Sequence, residues 1–136
     1  MGVVNVSGSL LAGPTCTGGS FPSASLSEQL ALLNNPKPYQ AATGILNRRV
    51  ASPSSFITLP AIGASGDVTR GDTLYAKSDG PLLLELTQDD GSGSGTVVAV
   101  IPFQGVMLLE FPSTQLLLGL RVKGNANLVY FVSGPA

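Results

Sequence analysis

The chain has 136 residues, enough for one domain with a core of its own. Only 11% of the residues are charged, seven Lys and Arg against eight Asp and Glu for a net charge of −1, while 43% are hydrophobic. There is no histidine and one cysteine, which excludes Ser–His–Asp and Cys–His catalysis, most zinc sites and any intrachain disulfide.

An average soluble domain is about 25% charged and carries a net charge away from zero. A surface this poor in charge points to burial against other subunits. Lys37, Arg48, Arg49, Arg70, Lys77, Arg121 and Lys123 are scattered rather than gathered into a basic stripe, so no nucleic acid is expected as a partner. No apolar run is long enough to span a bilayer, and no membrane partner is expected. The opening "MGVVNVSGSLLAGPT" lacks a basic leader region, which argues against a secretory signal and against use of the Asn5 sequon.

The first 22 residues are small and apolar and carry no charge. A solvated disordered tail would be polar or charged, so this segment reads as an arm that lies on a partner. In "SLSEQLALLNN" Ser25 and Glu28 have capping-box spacing, Leu26, Leu30 and Leu33 share a helical face, and Asn34, Asn35 and Pro36 stop it. The spacing predicts a short helix over about 25–34, too short to stand alone. "NNPKPYQ" is a linker, and "AATGILNRRVA" a strand or an extended crossing. Residues 1–54 therefore form an arm with helix and linker. Its candidates for assembly contacts are Leu10 and Leu11, the helical Leu26, Leu30 and Leu33, and the basic pair Arg48 and Arg49.

From about residue 55 the chain reads as strand after strand: 55–62, 71–78, 81–88, 96–103, 105–112, 115–124 and 127–134, with turns at "SDGP" and "FPST". Strands spaced about ten residues apart predict an all-β fold, an antiparallel sandwich or barrel, over 55–136. "LLLEL", "VVAVI" and "VMLL" are apolar on both faces, whereas a sheet with one wet face alternates. A second covered face is expected.

Between two of these strands lies "DDGSGSG", residues 89–95. Its oxygen ligands stop after Asp90, so it is a poor calcium loop. A strand rather than a helix follows and no Lys is present, so it is a poor phosphate cradle. It reads as a hairpin loop whose glycines accept positive φ. Cys16 in "PTCTGGS" has no basic neighbour to activate it. Glu85 and Glu110 read as outward carboxylates pairing across strands with Arg121 or Lys123. Arg70-Gly71-Asp72 reads as a turn. With no Trp, and with Tyr75 and Tyr130 inside strands, no sugar-stacking platform is visible.

The phrases "GDVTRGDTLYAKSDGPLLLELTQDDG" and "FPSTQLLLGLRVKGNANLVYFVSG", within residues 55–136, resemble small β-sandwich proteins of bacteriophage particles, the head decoration or cement type above all and short fibre or knob proteins next. The resemblance implies a jelly-roll-like sandwich that assembles as a homotrimer on a capsid, with an arm gripping the major capsid protein or neighbouring copies. The location implied is the virion, assembled in the host cytoplasm. The resemblance brings no catalytic residue, cofactor or metal. The expected function is thus a non-enzymatic decoration protein that stabilises the head by apolar contacts. The alternatives are a receptor- or glycan-binding head of a tail fibre, or a tail or head–tail connector component.

Overall fold

The computed structural model describes residues 2–12, 26–31, 33 and 37–135. They divide into two compact units, residues 3–37 and residues 1–2 with 38–136. Every regular element among them is a strand. β1 (Gly2–Val4) and β4 (Lys37–Tyr39) form a two-stranded sheet, and β2 (Ser7–Ala12) pairs with β3 (Leu26–Ala31) in another.

The helix expected over 25–34 is therefore corrected. Residues 26–31 are the strand β3, antiparallel to β2 from Ala12↔Leu26 to Ser7↔Ala31. Helices of two or three turns are marginal, and a short leucine-containing run does not distinguish the two periods. The ladder with β2 pairs one edge of each segment along its whole length, whereas a helix of two turns leaves most of its end groups unpaired. The proposed helix cap Ser25 and the stop at Asn34–Pro36 lie outside the described residues, as does Cys16.

The second unit is one antiparallel sheet of long strands: β6 (Leu46–Thr58), β7 (Thr73–Asp89), β8 (Thr96–Glu110) and β9 (Leu117–Gly134). Across the sheet the order is β6, β9, β7, β8, and the two-residue β5 (Ala41–Ala42) extends the β6 side along β9. β5 and β6, in the stretch read as arm and linker, are already part of this sheet. Between them Gly44 takes φ 72°. Thr43 bridges the break: its N–H donates to the Val132 carbonyl at 2.9 Å and its hydroxyl accepts from the Val132 N–H at 3.0 Å.

The seven short strands read from the sequence correspond to fewer, longer ones. The "SDGP" segment is not a turn between neighbours but an irregularity inside β7. Residues 79–81 of β7 stand opposite the single Gln104 of β8, and residues 53–56 of β6 stand opposite the single Lys123 of β9. Pro53, Pro81, Gly105 (φ 88°) and Gly124 (φ 141°) sit on or beside this line, one on each strand. Proline cannot donate to a ladder and glycine accepts positive φ, so they fall where the ladder is interrupted. Asp79 fills part of the gap by accepting from the Asn127 N–H at 2.8 Å and the Asn127 amide at 2.7 Å.

The interruption lets each strand bend. A straight strand of 17 residues spans roughly 55 Å, yet Arg70, just before β7, reaches Asp89 at its end with an Nη2–Oδ2 distance of 3.3 Å. Gly71 and Leu117 exchange two backbone hydrogen bonds of 2.8 Å, although Leu117 also pairs with Gln88 at the far end of β7. The sheet thus doubles back and encloses its own inner face. That face alternates strictly: Leu74, Ala76, Leu82, Leu84 and Leu86 of β7, and Leu120, Val122, Ala126, Leu128, Tyr130 and Val132 of β9, are buried in one core. Leu59, Ile62 and Val68 from the β6–β7 connection join it.

The bend makes Gly124 specific. A Cβ there would meet Leu82 Cδ2 at 2.7 Å and the Pro81 carbonyl at 3.1 Å, at a φ that L-residues avoid. Gly124→Ala is expected to lose about 1–3 kcal/mol in urea unfolding. Gly119→Ala, whose Cβ would make only ordinary contact with Thr87 at 3.7 Å, should stay within about 1 kcal/mol of the parent. Equal effects would contradict the assigned bend.

Candidate assembly surface

β9 and β7 each have a strand on both sides, whereas β8 pairs only with β7 among the described residues. One row of its N–H and C=O groups therefore has no ladder partner. Natural edges of this kind are guarded by charge, proline or brevity. β8 is 15 residues long and has no charge before Glu110. Pro102 is its one edge-blunting residue, and residues 96–101, "TVVAVI", precede it unguarded. Such a six-residue β-branched, uncharged run is a template for another strand.

The side chains match this edge. Val97, Val98, Val100 and Val106 are 48%, 55%, 49% and 64% exposed, and they are four of the six large hydrophobic residues exposed among the described residues. Val98, Val100 and Val106 stand on the outer face, opposite Thr87, Glu85 and Lys77 of β7, and Val97 on the inner one, opposite Gln88. At Pro102 the apolar strip meets a groove of about 410 Å³ along the bend, lined by Pro53, Pro81, Leu83 and Phe103. Toward the other end of the outer face, Leu108, Tyr75 and Phe131 lie in one row across β8, β7 and β9, all half-buried.

Near the middle of this face one pair of opposite charges is matched. Arg121 donates to both oxygens of Glu85, at 2.7 and 2.9 Å, as expected for outward carboxylates paired across strands. The guanidinium holds the Glu85 carboxyl below the usual carboxylate range, and Glu85 raises Arg121 in turn. Arg121 and Lys123 also stand over the Phe56 ring, at 5.3 and 5.0 Å from its centre.

"DDGSGSG" is the hairpin loop between β7 and β8, closed at the pair Asp89↔Thr96. Asp89 and Asp90 do not gather around an ion site. Each turns onto its own backbone, Asp89 Oδ1 accepting from the Gly91 N–H and Asp90 Oδ1 from the Ser92 N–H, both at 2.8 Å. Gly91 and Gly93 take φ 87° and 90°. Among the described residues no three metal-ligating side chains come together. Arg70-Gly71-Asp72 is held in the sheet rather than presented: the Asp72 N–H donates to the Ser133 carbonyl at 2.9 Å, and a Cβ on Gly71 would meet Val132 at 2.7 Å.

The residues nominated from sequence fall in both units, four of them on the paired strands β2 and β3. Leu10 and Leu11 lie on β2, and Leu26 and Leu30 on β3, with side chains outside the described set. Leu33 is buried. Arg49 reaches outward to the Asn125 side-chain oxygen, while Arg48, one residue earlier, faces the other way, opposite Leu128. The exposed valines of β8 were missed as a site, although "VVAVI" already signalled two apolar faces. Comparison with models of known families, with curated proteins and with solved structures finds no match.

Two tests follow from this geometry. A four-residue insertion after Gly93, where an added Cβ meets nothing within 4 Å, is expected to leave the unfolding transition unchanged. Loss of folding would contradict the hairpin. Asp79, Glu85 and Asp90 are all held below the ordinary carboxylate range, chiefly by the Asn127 amide, the Arg121 guanidinium and Ser92 respectively. Depressed folded values stabilise above the ordinary range and lose that contribution as the pH falls through them. Urea midpoints should therefore hold from neutral pH to the ordinary carboxylate range and then fall. Glu85→Gln should start lower and fall less. Parallel curves for the two proteins would contradict the role of the pair.

Proposed function

We propose that this chain is a non-enzymatic structural protein that works by assembly, as a decoration or cement protein of a bacteriophage head. In this reading the doubled-back sheet is a jelly-roll-like β-sandwich, each long strand serving both layers. Copies join as a homotrimer, and the part of residues 1–54 that precedes the sheet supplies the arm that grips the major capsid protein or another virion protein. The observation that carries the reading is the uncharged, exposed edge strand β8. The low overall charge supports it, because a chain with 11% charged residues has little other means of keeping such an edge from indiscriminate association.

Among the described residues the sheet has two open edges, β8 and β6, on its opposite sides. Head-to-tail pairing of β8 with β6 of the next copy gives a ring where the rotation between copies closes and a filament where it does not, whereas β8 against β8 gives a two-fold dimer. Apolar burial would drive association at roughly 25 cal/mol per Å², less the entropy of association.

Light scattering of the purified chain tests this. A mass near three times 13.8 kDa is expected for the parent, and a monomer for the Val98→Lys/Val100→Lys double variant. Because both valines are exposed, the variant should unfold within about 1 kcal/mol of the parent when compared as monomers. A parent that is monomeric at every concentration, or a variant that keeps the parent's mass, would overturn the reading.

A further inference from the structure

A second feature lies on the β6 side of the sheet. Between β6 and the connection that follows it is a pocket of about 430 Å³, within the size range of small-molecule sites. Leu46, Pro60 and Ala61 form its apolar wall, and Arg48, Asp67 and Tyr130 bring polar groups to it.

Strand register brings Arg48 and Tyr130 together. Leu46 pairs with Tyr130 and Arg48 with Leu128, so Arg48 and Tyr130 are diagonal neighbours on the inner face of adjacent strands. The Tyr130 side chain is part of the core at 4% exposure, yet its hydroxyl makes no hydrogen bond to any described residue. The hydroxyl is not one of the buried polar atoms left without a partner, so it opens to the pocket as a donor the protein does not use. A tyrosine hydroxyl is protonated at neutral pH, and desolvation raises Tyr130 further against the nearby Arg48 charge, so it is available as a donor. Arg48 makes no ion pair or hydrogen bond among the described residues either, whereas Arg49, Arg70 and Arg121 each have a side-chain partner.

The opposite wall is rigid. Ile62 and Val68 form a bridge and are buried in the core, and the Gly63 N–H donates to the Val68 carbonyl at 2.9 Å. Gly66 packs so closely on Ala61 that a Cβ would lie 2.5 Å from its backbone. Ser65 and Asp67, both exposed, lie at the rim. The combination narrows the ligand. A free cation and an unused donor call for an anionic group. A carboxylate on the same rim disfavours a phosphate dianion and instead accepts from hydroxyls. The wall of Leu46 and Pro60 suits the C–H face of a ring.

We infer that this pocket binds an acidic sugar of monosaccharide size, its carboxylate held by Arg48 and the Tyr130 hydroxyl and its ring hydroxyls by Asp67 and Ser65. The inference uses neither β8 nor the outer face; it shares β6 with the assembly reading but uses that strand's inner-face side chains rather than its edge. Calorimetric titration of the full chain with glucuronate tests it, with glucose and acetate as the ligands that each carry only half of the complement. Saturable glucuronate binding is expected, with both controls at least about tenfold weaker. Arg48→Gln should weaken it about tenfold or more and Tyr130→Phe, which keeps the ring in the core, several-fold. Methyl glucuronide stands in for the end of a glycan chain. Binding equal to that of the free acid assigns the site to glycan termini, and free-acid binding alone assigns it to the free sugar, either result supporting the pocket. No saturable binding of either glucuronate ligand, acetate binding as tightly as glucuronate, or an Arg48→Gln variant that binds like the parent would overturn it.

Discussion

The contact between Arg70 and Asp89 sets the terms for the whole sheet, because it joins a residue just before a single 17-residue strand to that strand's last residue. No straight strand allows that contact. As an exposed ion pair it contributes little energy of its own. What holds the strand bent is the core: Leu74 and Leu86, near opposite ends of β7, belong to the same buried cluster, along with Leu120 and Val132 from the two ends of β9. Prolines and glycines at the mid-strand line make the bend cheap, since few ladder bonds are lost where proline has none to give and where glycine accepts the turn.

Once the sheet encloses its inner face, what remains for partners is decided. β7 and β9 have no free edge and carry the matched Glu85–Arg121 pair. β8 keeps an open edge, and its valines are exposed on both faces. On the β6 side the bend leaves a mouth into which Arg48 and Tyr130 face. One covalently simple device, four long strands bent at a common level, thus yields a core, an adhesive edge and a pocket.

Much of this was legible in the chain. The all-β class, the hairpin at "DDGSGSG" and the cross-strand pairing of Glu85 followed from periodicity, turn chemistry and charge placement. The strand count did not, because Asp-Gly-Pro at 79–81 is written in the same residues whether it ends a strand or bends one. Only the pairing of both halves of β7 with the same two neighbours distinguishes the cases. The helix over 25–34 failed for a related reason: its leucines have helical spacing, but the competing partner, β2, lies some fifteen residues away in sequence and leaves no local mark. Two-sided apolarity in "LLLEL" and "VVAVI" looked alike, yet one is a central strand and the other an edge. Arg48 and Arg49 looked like one basic pair, and strand alternation sends them to opposite faces.

The claim that matters most for function is that the β8 edge is covered by another copy. Hydrogen exchange of the β8 backbone amides, followed by mass spectrometry across a dilution series, addresses it without any variant. The account predicts that the amides in residues 96–101 that point away from β7 are protected at high protein concentration and exchange rapidly once the chain is diluted to a monomer, while the amides bonded to β7 stay protected throughout. Rapid exchange of those outward amides at every concentration would contradict it.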